Sequence, residues 1–583
     1  MGELRWTAPE PIGAGEPTGP YVHWWLEFEA EAEIAARGEK HAPSMLWVAP
    51  DRGGMPRGRL LSLQPSDSSK GRRVEVPADQ QHDWPGYLPR PSDCLVATKL
   101  GPPVANHAPA AGPAWPGATL AALPPGHAVL GVVDDGIAFA NERFRRRDDP
   151  TRTRFDYLWL QGAPRGGRRS DLPFGRELSG PEIDALLADH SFGAGVDEAS
   201  LYRAIGLNDR RSAEVQSLGA RGSHGTAVAD LAGGNRPGER FMDKVALMGV
   251  TLPARITQDT AGTFLELYVM LAIGRILDRV AALAARNRAS YPVVINISYA
   301  LTAGPMDGSA AIDRFIRHLA ANPPPGVASL AFTVAAGNHR QDRTHGRLAL
   351  PGRGRTPPLA WRVAPDDRTP SFVELWVEGP ARRPSTGPVA LELVPPGFAA
   401  APPPPDVPFD HYVELMHGGR RLARVYHGWQ DKPSGGQPPP RCARVVLAVP
   451  ATAGEAGRET APAGDWTIRL DNRGAPAQRV DLHVQRDDTP SGYRRQGRQS
   501  AFVDDAYREY DEAGWPVESD DGSGAITRQG TLNAFVSDAA VELVGAARGQ
   551  GGTAMPYSGL GPTPARPNGP DLLVPSDESL VHR

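Results

Sequence analysis

Four near-continuous apolar runs of strand length, residues 128–133, 245–250, 293–297 and 330–335, constrain this chain more than any other feature. A strand with one wet face alternates apolar and polar residues, whereas a run without that alternation is covered on both faces. Between the second and third runs, the apolar residues at 264, 265, 268, 269, 272, 276, 280, 283 and 284 follow the 3.6-residue period of a long helix. Strands buried on both faces and separated by amphipathic helices predict an α/β fold, a doubly wound parallel sheet with helices on both faces.

The remainder reads differently. Residues 1–120 combine a Trp- and Glu-rich stretch (Trp24, Trp25, Leu26, Glu27, Phe28, Glu29) with Pro-rich segments, and the run 101–125 holds seven prolines. This is read as an N-terminal region and Pro-rich linker. Beyond Asn338 come short alternating segments at 372–377, 389–394, 412–416, 445–449, 466–470 and 480–484, divided by Pro and Gly clusters. Without intervening helices, that spacing predicts an antiparallel β-sandwich, in which Trp466 serves the core. The α/β character then returns, with 533–540 expected as a helix and 541–544 as a strand. The simplest organisation is one α/β domain, 127–345 and 526–583, interrupted by an inserted β-rich domain at 346–525.

Composition narrows the function. Gly (65) and Pro (60) make about a fifth of the 583 residues, well above the ~12% of average proteins, which predicts long loops. A net charge of -4 leaves no global basic field, so neither nucleic acid nor an anionic membrane is an expected partner. Two cysteines, Cys94 and Cys442, exclude a disulfide framework and a Cys-based zinc site. The N-terminus lacks a signal-type apolar segment, and the longest apolar stretch, 264–285, is broken by Glu266, Arg275, Asp278 and Arg279. A cytoplasmic location is the expectation.

Three short segments place reactive side chains just past a buried strand or at a helix start, where open α/β sheets build their sites. They are Asp134-Asp135-Gly136 after the first run, Ser223-His224-Gly225-Thr226 opening a helix that Gly233 and Gly234 stop, and Ala336-Gly337-Asn338 after the fourth run. Taken singly they read as a turn, a helix cap and a strand-to-turn transition. Together and in this order they resemble the subtilisin-like serine proteases. The resemblance covers 127–345 and 526–583 and implies a subtilisin-like sheet, a polypeptide substrate and serine-type endopeptidase chemistry. It makes Asp134 the triad acid, His224 the general base and Asn338 the oxyanion donor, and it extends to a structural calcium. Asp135 stands where Ser or Thr is common, although Asp-Asp-Gly also resembles the kexin and furin branch. The 293–298 strand looks like the family's strand beside the substrate cleft, with Tyr299-Ala300 in place of the usual apolar residue and Gly.

No Gly-Thr-Ser segment occurs anywhere in the sequence. Residues 541–546, 556–562 and 570–576 resemble the family segments that precede its Ser motif, so the sequence is expected to end before the catalytic Ser. Ser558 and Ser576 remain by position, one in a turn and the other in an acidic tail, and no nucleophile is assigned. The alternative is therefore a non-catalytic subtilisin-like protein that binds peptides or partners. A metal-dependent hydrolase built on Asp134, Asp135 and His224 is weaker, because no second His lies at ligand spacing. Glu518-Ser519-Asp520-Asp521-Gly522 reads as a solvated loop, and no metal site is assigned.

Overall fold

The computed structural model describes residues 3–12, 19–29, 44–49, 57–64, 73–75, 81–83, 99–104, 123–164, 175–193, 195–208, 217–219, 223–236, 238, 240–379, 383–429, 441–454, 459–490, 493, 495–549 and 552–576. The four apolar runs fall in one eight-stranded sheet. Its strands are β1 (Ala128–Asp134), β2 (Phe155–Leu160), β3 (Arg176–Ser179), β4 (Val245–Thr251), β5 (Tyr291–Ile297), β6 (Val327–Ala335), β7 (Glu542–Ala547) and β8 (Leu572–Pro575), in the order β3-β2-β4-β1-β5-β6-β7-β8. All neighbours are parallel except β3, which lies antiparallel on β2. From β1 the chain moves out to β2, comes back to β4, and then fills the other side with β5 to β8. The winding reverses at β1, and a crevice opens at the carboxyl ends of strands where that happens.

Period-2 alternation assigns the two faces. Val129 and Val133 of β1 join a core with α2 (Leu265–Asn287) and α3 (Ala311–Ala321), whereas Val132 packs in a second core with α1 (His224–Gly233). Helices thus cover both faces of this half of the sheet, and each fully buried Val, Ile or Leu contributes roughly 1.5–3 kcal/mol. The approach of α2 is close: a Cβ at Gly131 would lie 3.1 Å from Ile276 Cδ1 and 3.2 Å from Ile295 Cγ1.

Between β6 and β7 the chain builds two wholly antiparallel sheets. One contains His345–Leu350, Ser371–Glu378, His411–His417, Arg420–Trp429, Arg441–Val449 and Gln478–Val484; the other contains Leu359–Val363, Val389–Val394, Gly464–Asn472 and Ala501–Val503. Residues of both sheets share one core, in which Trp361 and Trp466 face each other in register and are fully buried. The N-terminal segment joins this unit. Leu4–Trp6 and Glu10–Pro11 pair with His411–His417, and the helix Pro20–Phe28 sets Trp24 against Phe372 while the adjacent Trp25 meets Phe264 beside α2. A further antiparallel sheet comprises Ser44–Ala49, Arg57–Gln64, Arg73–Glu75, Gln81–Asp83 and Lys99–Val104. The last of these strands occupies the start of the run read as a linker, and residues 105–122 of that run lie outside the described residues.

One expectation fails on a specific cause. Residues 533–540 form no helix. Asn533 is buried and its amide is fully spent across the sheet edge: Nδ2 donates to the carbonyls of Tyr299 (2.7 Å) and Ala335 (2.9 Å), while Oδ1 accepts from the amides of Leu301 (3.2 Å) and Phe535 (2.8 Å). Those bonds stitch the segment over the ends of β5 and β6, which a helix could not do. Among the described residues no helix is long and apolar enough to cross a membrane.

Candidate active site

Asp134 is the last residue of β1, at the point where the winding reverses. Its side chain is fully buried, and Oδ1 accepts from His224 Nδ1 at 2.7 Å and from the Asp135 amide at 2.8 Å. Asp134 Oδ2 is buried without a hydrogen-bond partner among the described residues. The Leu252 amide, just past β4, donates to the Asp134 carbonyl at 2.7 Å and ties the two strand ends together.

His224 opens α1, and the sequence dictates how it is held there. Ser223 is the N-cap: its hydroxyl accepts from the Thr226 amide, as expected of a helix whose first donors lack partners, and donates to the Gly136 carbonyl. Gly225 permits the first turn to seat on the Asp-Asp corner. A Cβ there would lie 2.9 Å from Asp135 Oδ1, 3.0 Å from Asp134 Cβ and 3.0 Å from the Gly136 carbonyl oxygen. The Gly225 amide instead donates to Asp135 Oδ1 at 2.6 Å. The two acidic residues therefore serve different elements, Asp134 the imidazole and Asp135 the helix backbone.

The electrostatics follow from this packing. The hydrogen bond with Asp134 raises the His224 pKa from 6.5 to about 9, against an opposing effect of burial. The ring is nonetheless 58% exposed on its outer side, and no described residue bonds Nε2. Burial first, and the neighbouring Asp134 second, push the Asp135 carboxyl from 3.8 up to about 6. Burial and the same two carboxylates raise the Tyr299 hydroxyl well above its ordinary value, so it stays protonated beside them.

Asn338 lies on the same edge of the sheet. Val133 pairs with Ile297 and Ile297 with Val334, so β1, β5 and β6 end level, and Asn338 follows β6 by three residues. Two strand spacings, about 10 Å, separate β6 from β1. Gly337 takes a φ of +94°, which turns the chain out of the strand and leaves Asn338 exposed. Asp134 and His224 are thus in contact, and Asn338 is brought to their side of the molecule.

The remaining serine candidates are not brought there. Ser558 is buried on the β7 side, where its hydroxyl accepts from the Ala546 amide at 3.0 Å, and Ser576 bonds Tyr557 Oη at 2.8 Å. Nor do the acidic residues at 518–521 fit a cation. Glu518 is paired with Arg548, Asp520 with Arg528 and Thr527, and Asp521 with Ser523. Among the described residues no group of three His, Cys, Asp or Glu side chains could hold a metal ion.

Sequence reasoning missed three residues of this cleft. Tyr493, from the antiparallel unit, stands between Asp135 and Thr257, the latter on the short helix after β4; its Oη lies 3.4 Å from Asp135 Oδ2 and 3.2 Å from Thr257 Oγ1. No local signal marks a residue 358 positions away from its partner. Gly225 was visible only as a glycine inside a helical motif.

No family model and no curated protein matches this chain. Among solved structures, the Clostridium perfringens CspB protease is similar at a TM-score of 0.50 and 17% sequence identity, over 79% of this chain and 78% of that one. At that identity the likeness is one of fold.

Proposed function

We propose that this chain folds as a subtilisin-like peptidase domain that binds an extended polypeptide along the carboxyl edge of β1, β5 and β6. In this reading Asp134 orients His224, His224 is the acid–base group and Asn338 donates to an oxyanion. The observation that carries it is the 2.7 Å contact between Asp134 and His224 at the reversal point of the sheet, in a fold similar to that of a protease.

The chemistry these residues supply is that of acyl transfer. A neutral imidazole accepts a hydroxyl proton and returns it to the leaving amine, while Asp134 steadies the imidazolium formed in between. An amide donor placed as Asn338 would be contributes on the order of 3 kcal/mol to the tetrahedral state. The hydroxyl itself is what these 583 residues lack in a Gly-Thr-Ser setting. With no hydroxyl bonded to Nε2 among the described residues, and with a pKa raised to about 9, His224 is mostly protonated at pH 7 and presents a donor instead of a base. These observations favour binding without turnover for the sequence as it stands, within a domain built for serine endopeptidase chemistry.

A fluorophosphonate probe and a binding titration with a fluorescein-labelled casein digest test this together. The expected result is no labelling, with peptide affinity falling at least threefold in His224→Ala and Asn338→Ala. Labelling that disappears in His224→Ala would overturn the binding-only reading in favour of an active peptidase. Absence of peptide binding together with absence of labelling would overturn the proposal altogether.

A further inference from the structure

Tyr493 reaches the cleft on the stretch that leaves the strand Gln478–Val484, and that stretch is anchored on the loop following β5. Thr302 Oγ1 donates to the Val484 carbonyl at 2.7 Å, and the amides of Thr302 and Ala303 each donate to Gln485 Oε1 at 3.3 Å. Gln485 Nε2 returns a bond to the Ala303 carbonyl at 3.4 Å. Arg486 comes next, paired with Asp488 at 2.5 Å and near enough for its charge to act on His224. Asp135 is therefore held from two directions: Oδ1 by the Gly225 amide of α1, and Oδ2 by the Tyr493 hydroxyl of the antiparallel unit.

We infer that Tyr493 is a positioning residue of the Asp134–His224 site, through which the seating of the antiparallel unit sets the charge beside His224. The inference rests on Asp134 and His224 being the functional pair. Its physical content is a chain of two steps. A hydroxyl that donates to a carboxylate favours the ionised form, so removing it makes Asp135 harder to ionise. Near pH 6, where Asp135 titrates and His224 is still protonated, the negative charge beside the imidazolium is then smaller. The groups facing Asp135 are Asp134, His224, the Ser223 hydroxyl, Tyr299 and Tyr493; those facing His224 are Asp134, Asp135 and Arg486.

The test is Tyr493→Phe in the full chain, which keeps the ring, with the His224 imidazole followed by NMR titration of 15N-histidine-labelled protein. The His224 ring signals should carry an inflection near pH 6 from Asp135, and that inflection should move up by a few tenths of a unit in Tyr493→Phe, while the main His224 titration near pH 9, where Asp135 is ionised in both proteins, stays in place. In Asp135→Asn the inflection near pH 6 should be absent, with or without the Tyr493→Phe change. An inflection that does not move in Tyr493→Phe, or one that survives in Asp135→Asn, would overturn the inference. Peptide binding is read separately. Its absence in the parent would end the functional reading with the Asp135 shift intact, and an unmoved inflection would end this inference with binding intact.

Discussion

Among the histidine–carboxylate pairs of the described residues, two differ most in setting, His224 with Asp134 at 2.7 Å in the parallel unit and His345 with Asp481 at 3.0 Å in the antiparallel one. Distance alone does not separate them, but their surroundings do. The His345 side chain is 2% exposed and the His224 side chain 58%. His345 spends its second nitrogen on the Gln529 carbonyl at 2.5 Å and stacks on His483 at 4.3 Å, while Asp481 also takes Arg347 at 2.7 Å. His224 has one nitrogen fixed by a buried acid and turns the other outward. A histidine with both nitrogens spent inside can only hold a fold together, whereas one fixed on a single side can exchange a proton with something that arrives.

The largest effect should come from breaking the buried pair. His345→Ala leaves the Gln529 carbonyl and part of Asp481 unmatched in the interior, and breaking a buried pair of this kind costs about 3 kcal/mol or more. His224→Ala removes a pair open to water on one side, for which about 1 kcal/mol or less is expected. Urea unfolding of both variants checks this ranking. Equal losses, or a larger loss at His224, would mean that the cleft pair is structural.

A second experiment attacks the glycine that makes the cleft pair possible. Gly225→Ala forces its methyl against Asp135 Oδ1 and the Gly136 carbonyl, an overpacking that costs about 1–3 kcal/mol. Because α1 must lift to relieve it, His224 should withdraw from Asp134 and titrate well below its present value of about 9. Retention of that value would show that α1 keeps its seat on the corner despite the added methyl.

How much of this was legible in sequence depended on whether the cause was local. The parallel strands were readable because burial on both faces removes polar residues from runs such as 245–250, which coincide with β4 (Val245–Thr251). Asp134 and His224 were readable because each sits at an element end that a short motif announces. The antiparallel unit was only partly readable: 372–377 and 466–470 fall within strands, but Arg420–Trp429 was not anticipated, since Arg421 and Arg424 break the apolar alternation. Those arginines are tolerated because Glu414 pairs with both and Glu27, from the N-terminal helix, pairs with Arg424. Such compensation is tertiary and leaves no mark on the strand's own pattern. The same holds for Asn533, whose four bonds replace the helix that composition suggested at 533–540, and for Tyr493, whose partner lies across the fold.

The smallest expected effect concerns pH, and it contrasts the two pairs by sign. His224 has a folded pKa raised from 6.5 to about 9, so its contribution to stability is fully present below pH 6.5 and is lost as pH rises toward 9. Asp135, raised from 3.8 to about 6 by burial first and Asp134 second, acts in the same direction at lower pH, its contribution fading as pH climbs through 6. Asp481 behaves oppositely. Burial works against its ionisation, but the hydrogen bond and charge of His345, with the charges of His483 and Arg347, hold its carboxyl well below the usual range. Its stabilisation is therefore present above pH 3.8 and is lost only on further acidification. Between pH 6.5 and 9 the cleft pair alone of the two should weaken. Because His224 is more than half exposed, water screens the interaction and the loss should stay within about 1 kcal/mol. Urea midpoints at pH 6.5 and 9.0, in the parent and in Asp134→Asn, measure it. The decline should be present in the parent and much smaller in the variant, which lacks the hydrogen bond and charge of Asp134 that raise His224. An equal decline in both proteins would assign the pH dependence to groups other than this pair.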